Sequence, residues 1–157
     1  MKDSDQTEKR KKEITEAATF PVQFALKEVK ENITITTNTP PKPSKEQIIN
    51  QAFKFHSQGN ISEASKYYQH FINQGFKDDR VFSNYGSILK NLGKLKEAES
   101  SYRKAIELNH DFFQVHSNLG IILSQLGDLQ EAELSTRKAI EINPDYANGH
   151  YNLGIIL

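Results

Sequence analysis

From residue 45 onward, apolar and polar residues alternate with the period of an amphipathic helix. Within residues 113–125, small or apolar side chains and one histidine recur at spacings of three and four: His116, Leu119, Gly120 and Leu123. Because this spacing places them on one face, it predicts a helix of about three turns. A second helix is predicted over residues 129–142, since Gly127 interrupts the first helix and Pro144 prevents continuation of the second.

The same pattern returns every 34 residues. The stretch VFSNYGSILKNLGKLKEA at 81–98 is followed by VHSNLGIILSQLGDLQEA at 115–132, and GHYNLGIIL at 149–157 begins another copy. The units are 45–78, 79–112, 113–146 and a truncated fourth unit, 147–157. A single helix pair cannot bury both of its apolar faces, so neighbouring pairs must stack into a continuous core. The sequence therefore predicts an all-α fold, an α-solenoid of antiparallel helix pairs.

Small residues occupy the places where these helices must approach one another. Gly120 and Ala132 are expected at the contact between the two helices of one unit. Ala139 is expected against the first helix of the next unit. Since these side chains are minimal, close packing can recur once in every unit.

Residues 1–44 form a segment of different character. A charged run is followed by a mixed patch at 20–29, a threonine-rich stretch and prolines at 40, 41 and 43. The prolines predict an extended linker, and the segment has too little apolar surface to offset its ordering entropy. It is predicted to be a disordered tail; the alternative is about two turns of weakly docked helix at 20–29. Ser44 lies three residues before Gln47, which predicts a capping box at the start of the array.

The repeats resemble the tetratricopeptide repeat family. That family carries an aromatic residue or histidine, then leucine and glycine, a hydrophobic residue, a turn glycine, two small alanines and a closing proline. In the third unit these places are His116, Leu119, Gly120, Leu123, Gly127, Ala132, Ala139 and Pro144. The resemblance implies a right-handed superhelix whose first helices line a concave groove that holds peptides or partner proteins.

The earlier units depart from this pattern. The second unit has Tyr85 in place of leucine and His110 in place of proline. The first unit has Gln51 and Ala52 in place of leucine and glycine, and Phe71 in place of a small alanine. Such degeneracy is typical of a terminal capping repeat, and a looser junction with the second unit is expected.

One asparagine stands at the sixth place of every unit: Asn50, Asn84, Asn118 and Asn152. A side-chain amide both donates and accepts, so amides spaced by about 10 Å, the usual helix separation, can pair with the backbone of an extended peptide. The repeats that precede the catalytic domain of O-linked N-acetylglucosamine transferases carry a similar ladder. The alternative is that asparagine is common at this place and solvates the helix face. Both interpretations remain open at this point.

Other residues of the first helices are expected to line the same groove: Glu46, Ile49, Phe53, Arg80, Ser83, Ser87, Lys90, Gln114, Ser117, Ile121 and Tyr151. Two of them, Arg80 and Lys90, are basic, so a clamp for acidic C-terminal tails is not expected. The mixture favours an extended backbone with small apolar side chains.

Composition narrows the function classes. The 20 basic and 20 acidic residues are spread evenly along the chain, so no segment is suited to nucleic acid or to an acidic membrane. There is no cysteine, and the N-terminus has charges where a secretory signal needs an apolar centre, so a cytoplasmic protein is expected. No catalytic or cofactor motif appears, and His116 with His150 would be an incomplete zinc site. A non-enzymatic protein with no metal or cofactor is expected.

The fourth unit stops in its first helix, which would leave Leu153, Ile156 and Leu157 without a covering second helix. Two explanations are open: the chain is the front of a longer protein, which we favour, or the uncovered end is buried by self-association. The predicted function is a scaffold that binds a peptide or a partner protein. The alternative is the substrate-recruiting region of a larger enzyme, above all a glycosyltransferase of the O-linked N-acetylglucosamine type.

Overall fold

The computed structural model describes residues 42–157, which within that range form seven α-helices and no strand. The helices are α1 (Lys45–Ser57), α2 (Ile61–Asn73), α3 (Asp79–Asn91), α4 (Leu95–Leu108), α5 (Phe113–Leu126), α6 (Leu129–Ile142) and α7 (Ala147–Ile156). Helix α1 packs with α2, α3 with α4 and α5 with α6, while α7 packs against both helices of the preceding pair. This arrangement confirms the predicted α-solenoid.

The start of the array has the predicted cap. The Ser44 hydroxyl accepts a hydrogen bond from the Gln47 backbone N–H at 3.2 Å, and the Ser44 N–H donates to Gln47 Oε1 at 2.8 Å. These two bonds form the capping box and satisfy two backbone donors that would otherwise lack partners. The predicted disordered tail lies, up to residue 41, outside the described residues.

Helix boundaries follow the glycine signals. Helices α5 and α6 begin and end within one residue of the predicted spans. Gly127 adopts φ of +90°, the left-handed conformation that ends α5, and Asp128 then caps α6 by accepting from the Glu131 N–H at 3.3 Å. The chain reverses within two residues here, so the two helices of the unit lie side by side.

Glycines inside the first helices mark the close contacts within each pair. A Cβ atom added at Gly86 would lie 2.8 Å from Tyr102 Cε1, and one at Gly120 would lie 3.0 Å from the Ala132 carbonyl oxygen. The predicted approach of Gly120 to Ala132 is therefore confirmed. The equivalent Gly154 of α7 has no atom within 4 Å of such a Cβ, because no second helix covers α7 in the described part of the chain.

The apolar core forms two clusters. The first is built from Ile48, Ile49, Ala52, Ala64, Tyr68, Phe71, Val81 and Ile88. The second is built from Leu89, Ala98, Tyr102, Ala105, Val115, Leu119, Ile122, Leu123, Ala132 and Ile156. The half-buried ring of Tyr85 packs against both clusters.

Phe71, which replaces the usual alanine, is fully buried. Its ring centroid lies 5.4 Å from that of Phe76, which follows α2. The loop after α2 thus contributes a ring that packs against Phe71. Helix α2 nevertheless makes fewer close approaches to α3 than α4 makes to α5, in agreement with the expected looser junction.

Of the three apolar side chains predicted to lie uncovered at the end of the array, Leu157 is exposed, Leu153 is half-buried and Ile156 is buried. Ile156 is only 8% exposed and belongs to the second cluster, so the prediction that it lies uncovered is wrong. Its repeat equivalent Ile122 is buried too, because this place faces the preceding pair rather than the partner helix. Tyr151, Ile155 and Leu157 are 70%, 57% and 76% exposed. None of the helices in residues 42–157 has the length and apolar character needed to cross a membrane.

Candidate functional site

A recess of about 480 Å³ opens on the face formed by α1 and α3. We call it the first-helix recess. Its lining residues are Phe53, His56, Ser57, Tyr68, Arg80, Asn84 and Phe112. Of the groove residues predicted from the sequence, the structure brings Phe53, Arg80 and Asn84 together here.

A hydrogen-bonded chain crosses the floor of the recess. The buried Tyr68 hydroxyl accepts from Asn84 Nδ2 at 3.2 Å and lies 2.9 Å from His56 Nδ1. One hydrogen bond thus joins α1 to Tyr68, and another joins α3 to it. Burial raises the pKa of Tyr68 to about 12, against the opposing effect of the Asn84 bond, so the phenol stays protonated at neutral pH.

Arg80 forms part of the recess wall without offering a free positive charge. Its guanidinium carbon lies 5.1 Å from the centre of the Phe53 ring, within the range of a cation–π contact. Its Nε and Nη2 donate to the two Asp78 carboxylate oxygens at 3.1 and 2.9 Å. Partial burial would raise the pKa of Asp78, but the bonds and charge of Arg80 hold this pKa below its usual value. The recess thus combines aromatic surface with a compensated charge.

The four ladder asparagines have different roles. Asn84 Nδ2 donates to the Tyr68 hydroxyl of the preceding unit, and Asn152 Nδ2 donates to Ser117 Oγ of its own preceding unit at 2.9 Å. Asn50 is exposed and Asn118 is half-buried, and neither makes a side-chain hydrogen bond within residues 42–157. Two of the amides therefore link adjacent units, while the other two are unengaged within that range.

Three predicted groove residues have little or no surface to offer a ligand. Ser117 is fully buried, and Ile49 and Ser83 are buried as well. The first helix of the next unit covers this place in the repeat, as the bond from Asn152 to Ser117 illustrates. We therefore remove Ile49, Ser83 and Ser117 from the candidate site.

The Ser87 side chain is half-buried and forms hydrogen bonds within the protein. Its hydroxyl lies 3.1 Å from the Tyr102 hydroxyl and donates to the Ser83 carbonyl at 3.1 Å. The remaining predicted groove residues are exposed or half-buried and lie outside the first-helix recess: Glu46, Lys90, Gln114, Ile121 and Tyr151.

The sequence did not predict His56, Ser57, Tyr68 and Phe112 as recess residues. Tyr68 belongs to a second helix and Phe112 directly precedes α5, so neither lies on the first helices, which the sequence predicts to line the groove. His56 had a usable signal, since it follows Phe53 by three residues on the same helix face.

Two other histidines have a local structural role. His116 Nε2 lies 2.8 Å from the His110 carbonyl oxygen, and His150 Nε2 lies 2.7 Å from that of Pro144. Each imidazole donates to the loop that precedes its helix, because a carbonyl can only accept. Within residues 42–157 no group of three potential metal ligands converges.

Comparison with known proteins gives a concordant result. Residues 86–127 match a family model described as TPR repeat, and residues 113–146 match one described as Tetratricopeptide repeat. Comparison with curated protein sequences gave no match.

Solved structures share the fold. MamA is 18% identical with a TM-score of 0.67, and the match covers 72% of this chain and 66% of MamA. The first TPR of Spaghetti, bound to the HSP90 peptide SRMEEVD, is 23% identical with a TM-score of 0.65 over 71% of this chain and 89% of that one. An O-GlcNAc transferase mutant of Thermobaculum terrenum is 20% identical with a TM-score of 0.64, and the match covers 72% of this chain and 22% of the transferase.

Proposed function

Because residues 86–146 carry tetratricopeptide repeats, we propose that the protein binds an extended peptide, or an extended segment of a partner protein, on the face of its first helices. Repeats of this kind serve in general as interaction scaffolds, and they are usually non-catalytic. The observation that carries the proposal is the first-helix recess, which combines aromatic rings with the side-chain amide of Asn84 and lies on α1 and α3.

The chemistry of the recess favours a neutral peptide. The rings of Phe53 and Phe112 provide a surface for an apolar side chain. The Asn84 oxygen makes no hydrogen bond within residues 42–157 and is available to a backbone N–H. Since Asp78 compensates the charge of Arg80, the recess has less attraction for an acidic peptide than a cluster of free basic groups would have.

Asn118 provides the sharpest test, because its side chain supports no internal hydrogen bond within the described residues. A random 12-residue peptide library would be selected against the full chain, and a selected peptide would be labelled for fluorescence anisotropy. We expect Asn118→Ala to weaken binding of that peptide by about five- to tenfold, the cost of one or two lost hydrogen bonds.

Asn73→Ala is the matched control. Asn73 is an exposed asparagine at the end of the second helix α2, outside the proposed binding face. It should leave the affinity unchanged. If Asn118→Ala binds as tightly as the unmodified protein with unchanged helicity, the ladder has no part in binding; if no library member binds, the proposed function itself fails.

A second candidate is that the array recruits substrates for a larger enzyme. The recurring asparagines favour it, together with the structural match to an O-GlcNAc transferase, which covers 22% of the transferase chain. Reading the coding sequence past Leu157 tests it: an open frame that encodes a transferase domain is expected, and a stop codon there would contradict the idea.

Self-association is a third candidate, favoured by the exposed apolar side chains of α7. Tyr151, Ile155 and Leu157 form much of its uncovered surface. Light scattering should then give a mass above that of one chain, and the mass of a monomer would count against it.

A further inference from the structure

A second recess of about 440 Å³ is lined by residues of α2, of the loop that follows it, of α3 and of α4. We call it the inter-unit recess. Its apolar walls come from Ile72, Phe76, Phe82, Tyr85 and Leu108. None of the predicted groove residues lines it, so it is separate from the first-helix recess.

The recess lies where the two core clusters meet. Ile72 and Phe76 pack against the first cluster, Phe82 packs against the second, and Tyr85 packs against both. Ser101 forms part of the wall at a place where the first unit has Tyr67. Serine has the smaller side chain of the two residues.

The next junction contains a related recess with a different lining. It has a volume of about 320 Å³ and includes Ile106, His116, Leu119 and Ser135, the residues 34 places after Ile72, Phe82, Tyr85 and Ser101. A recess at this place is therefore a property of the repeat, and only its lining is specific to one junction.

Two polar side chains of this next recess already have partners within the protein. Arg103, which lines it, forms ion pairs with Glu99 at 3.0 Å and Glu131 at 2.7 Å, and the His116 ring is bound to a backbone carbonyl. The inter-unit recess instead has Phe82 at the place of His116, and a second ring, that of Phe76, lines it as well. Covering these rings with an apolar ligand removes apolar surface from water, which lowers the free energy. An apolar occupant is therefore favoured.

Charged side chains at the rim of the inter-unit recess indicate which head group its ligand would carry beside an apolar body. Lys104 is paired with Glu107 at 2.7 Å. Lys77, also at the rim, has no ion pair within residues 42–157. One ammonium group is therefore available to an anion at the edge of an aromatic surface.

We propose that the inter-unit recess binds a small organic carboxylate with an apolar body, the body between Phe76, Phe82 and Tyr85 and the carboxylate at Lys77. The volume of about 440 Å³ is within the usual range for small-molecule sites. This site is independent of peptide binding on the first helices.

Two probes that share a phenyl ring on a four-carbon chain and carry head groups of opposite charge test the proposal: 4-phenylbutyrate and 4-phenylbutylamine. Each would be titrated into the ¹⁵N-labelled full chain, with the amide of Gly75, a lining residue, as reporter. We expect a saturable shift with phenylbutyrate and about three- to tenfold weaker binding of phenylbutylamine, since the amine meets repulsion where the carboxylate meets attraction.

Repeat equivalence supplies matched variants. Ser101→Tyr introduces a bulkier side chain into the wall, and it should reduce the space for the phenyl ring and weaken phenylbutyrate binding by at least about tenfold. Ser135→Tyr makes the same change in the next recess and should leave the affinity unchanged. Lys77→Gln, in an exposed loop, should reduce the preference for the carboxylate without affecting folding.

Three results would overturn the proposal. They are the absence of a saturable shift with phenylbutyrate, equal affinity for the two probes, and unchanged phenylbutyrate affinity in Lys77→Gln. If Ser101→Tyr fails to fold, Lys77→Gln and the two probes still decide the question.

Discussion

At the residue scale, Tyr68 connects the core to the candidate binding face. Its ring is fully buried in the first cluster, while its hydroxyl bonds with His56 of α1 and Asn84 of α3. One side chain thus holds the two helices that form the first-helix recess. The pKa of about 12 follows from the same burial, because an ionised phenolate at this place would lack the hydration that stabilises its charge in water.

Tyr68→Phe should change how stability depends on pH. The folded-state pKa of Tyr68 lies above the unfolded value near 10, so the folded protein holds this proton more tightly. The associated stability is fully present below pH 10 and is lost as the pH rises through 12. Between pH 8 and 11.5 the unmodified protein should lose about 2 kcal/mol of unfolding free energy through this group, and Tyr68→Phe should lose that much less.

Urea unfolding at the two pH values measures the effect. The comparison at pH 8 gives the separate cost of the lost hydroxyl, expected to be about 1 kcal/mol. Equal losses for the two proteins between pH 8 and 11.5 would contradict the assigned pKa.

At the element scale, the same residue type in the same register meets different surroundings. Gly120 of α5 lies against α6, whereas Gly154 of α7 faces open space. The 34-residue repeat in the sequence makes these glycines look equivalent. Only the presence or absence of a covering helix separates them.

Alanine at the two glycines should therefore have opposite effects. Gly120→Ala is expected to destabilise the protein by about 1–3 kcal/mol, because the new methyl group would overlap α6. Gly154→Ala should stabilise it by up to about 1 kcal/mol through helix propensity alone. Urea denaturation of both variants checks this, and a destabilising Gly154→Ala would show that α7 is covered in solution.

At the scale of the whole described array, stability depends on contacts between neighbouring units. The junction of the second and third units has the Arg103 to Glu131 ion pair and a continuous cluster. The junction of the first and second units has fewer close approaches and contains the larger inter-unit recess. Partial unfolding is therefore expected to begin with α1 and α2.

Hydrogen exchange followed by mass spectrometry can detect this order. Amides in α1 and α2 should exchange through openings of lower free energy than those in α5. Ser101→Tyr, by filling the recess, should narrow the difference. Uniform protection across α1 to α6 would indicate that the array unfolds as one cooperative unit.

The repeat pattern was sufficient to predict most of the fold, because turn glycines, a closing proline and small contact residues each act locally. Gly127 ends α5, and the spans of α5 and α6 were correct to within one residue. The site was less predictable. Whether Ser117 is open or covered depends on a helix 35 residues away, and the partner of Asn84 is a tyrosine of the preceding unit.

The sequence by itself determined the period, the helix pairs and their close contacts, because these depend on residues within one 34-residue unit. Only the tertiary structure decided which amides are engaged, how Phe71 is accommodated and where recesses open. Those outcomes depend on side chains from adjacent units that meet at the junctions. Residues of one type at the same place of the repeat, such as Gly120 and Gly154, therefore differ in their surroundings. Helix α6 covers α5, whereas no second helix covers α7 within residues 42–157.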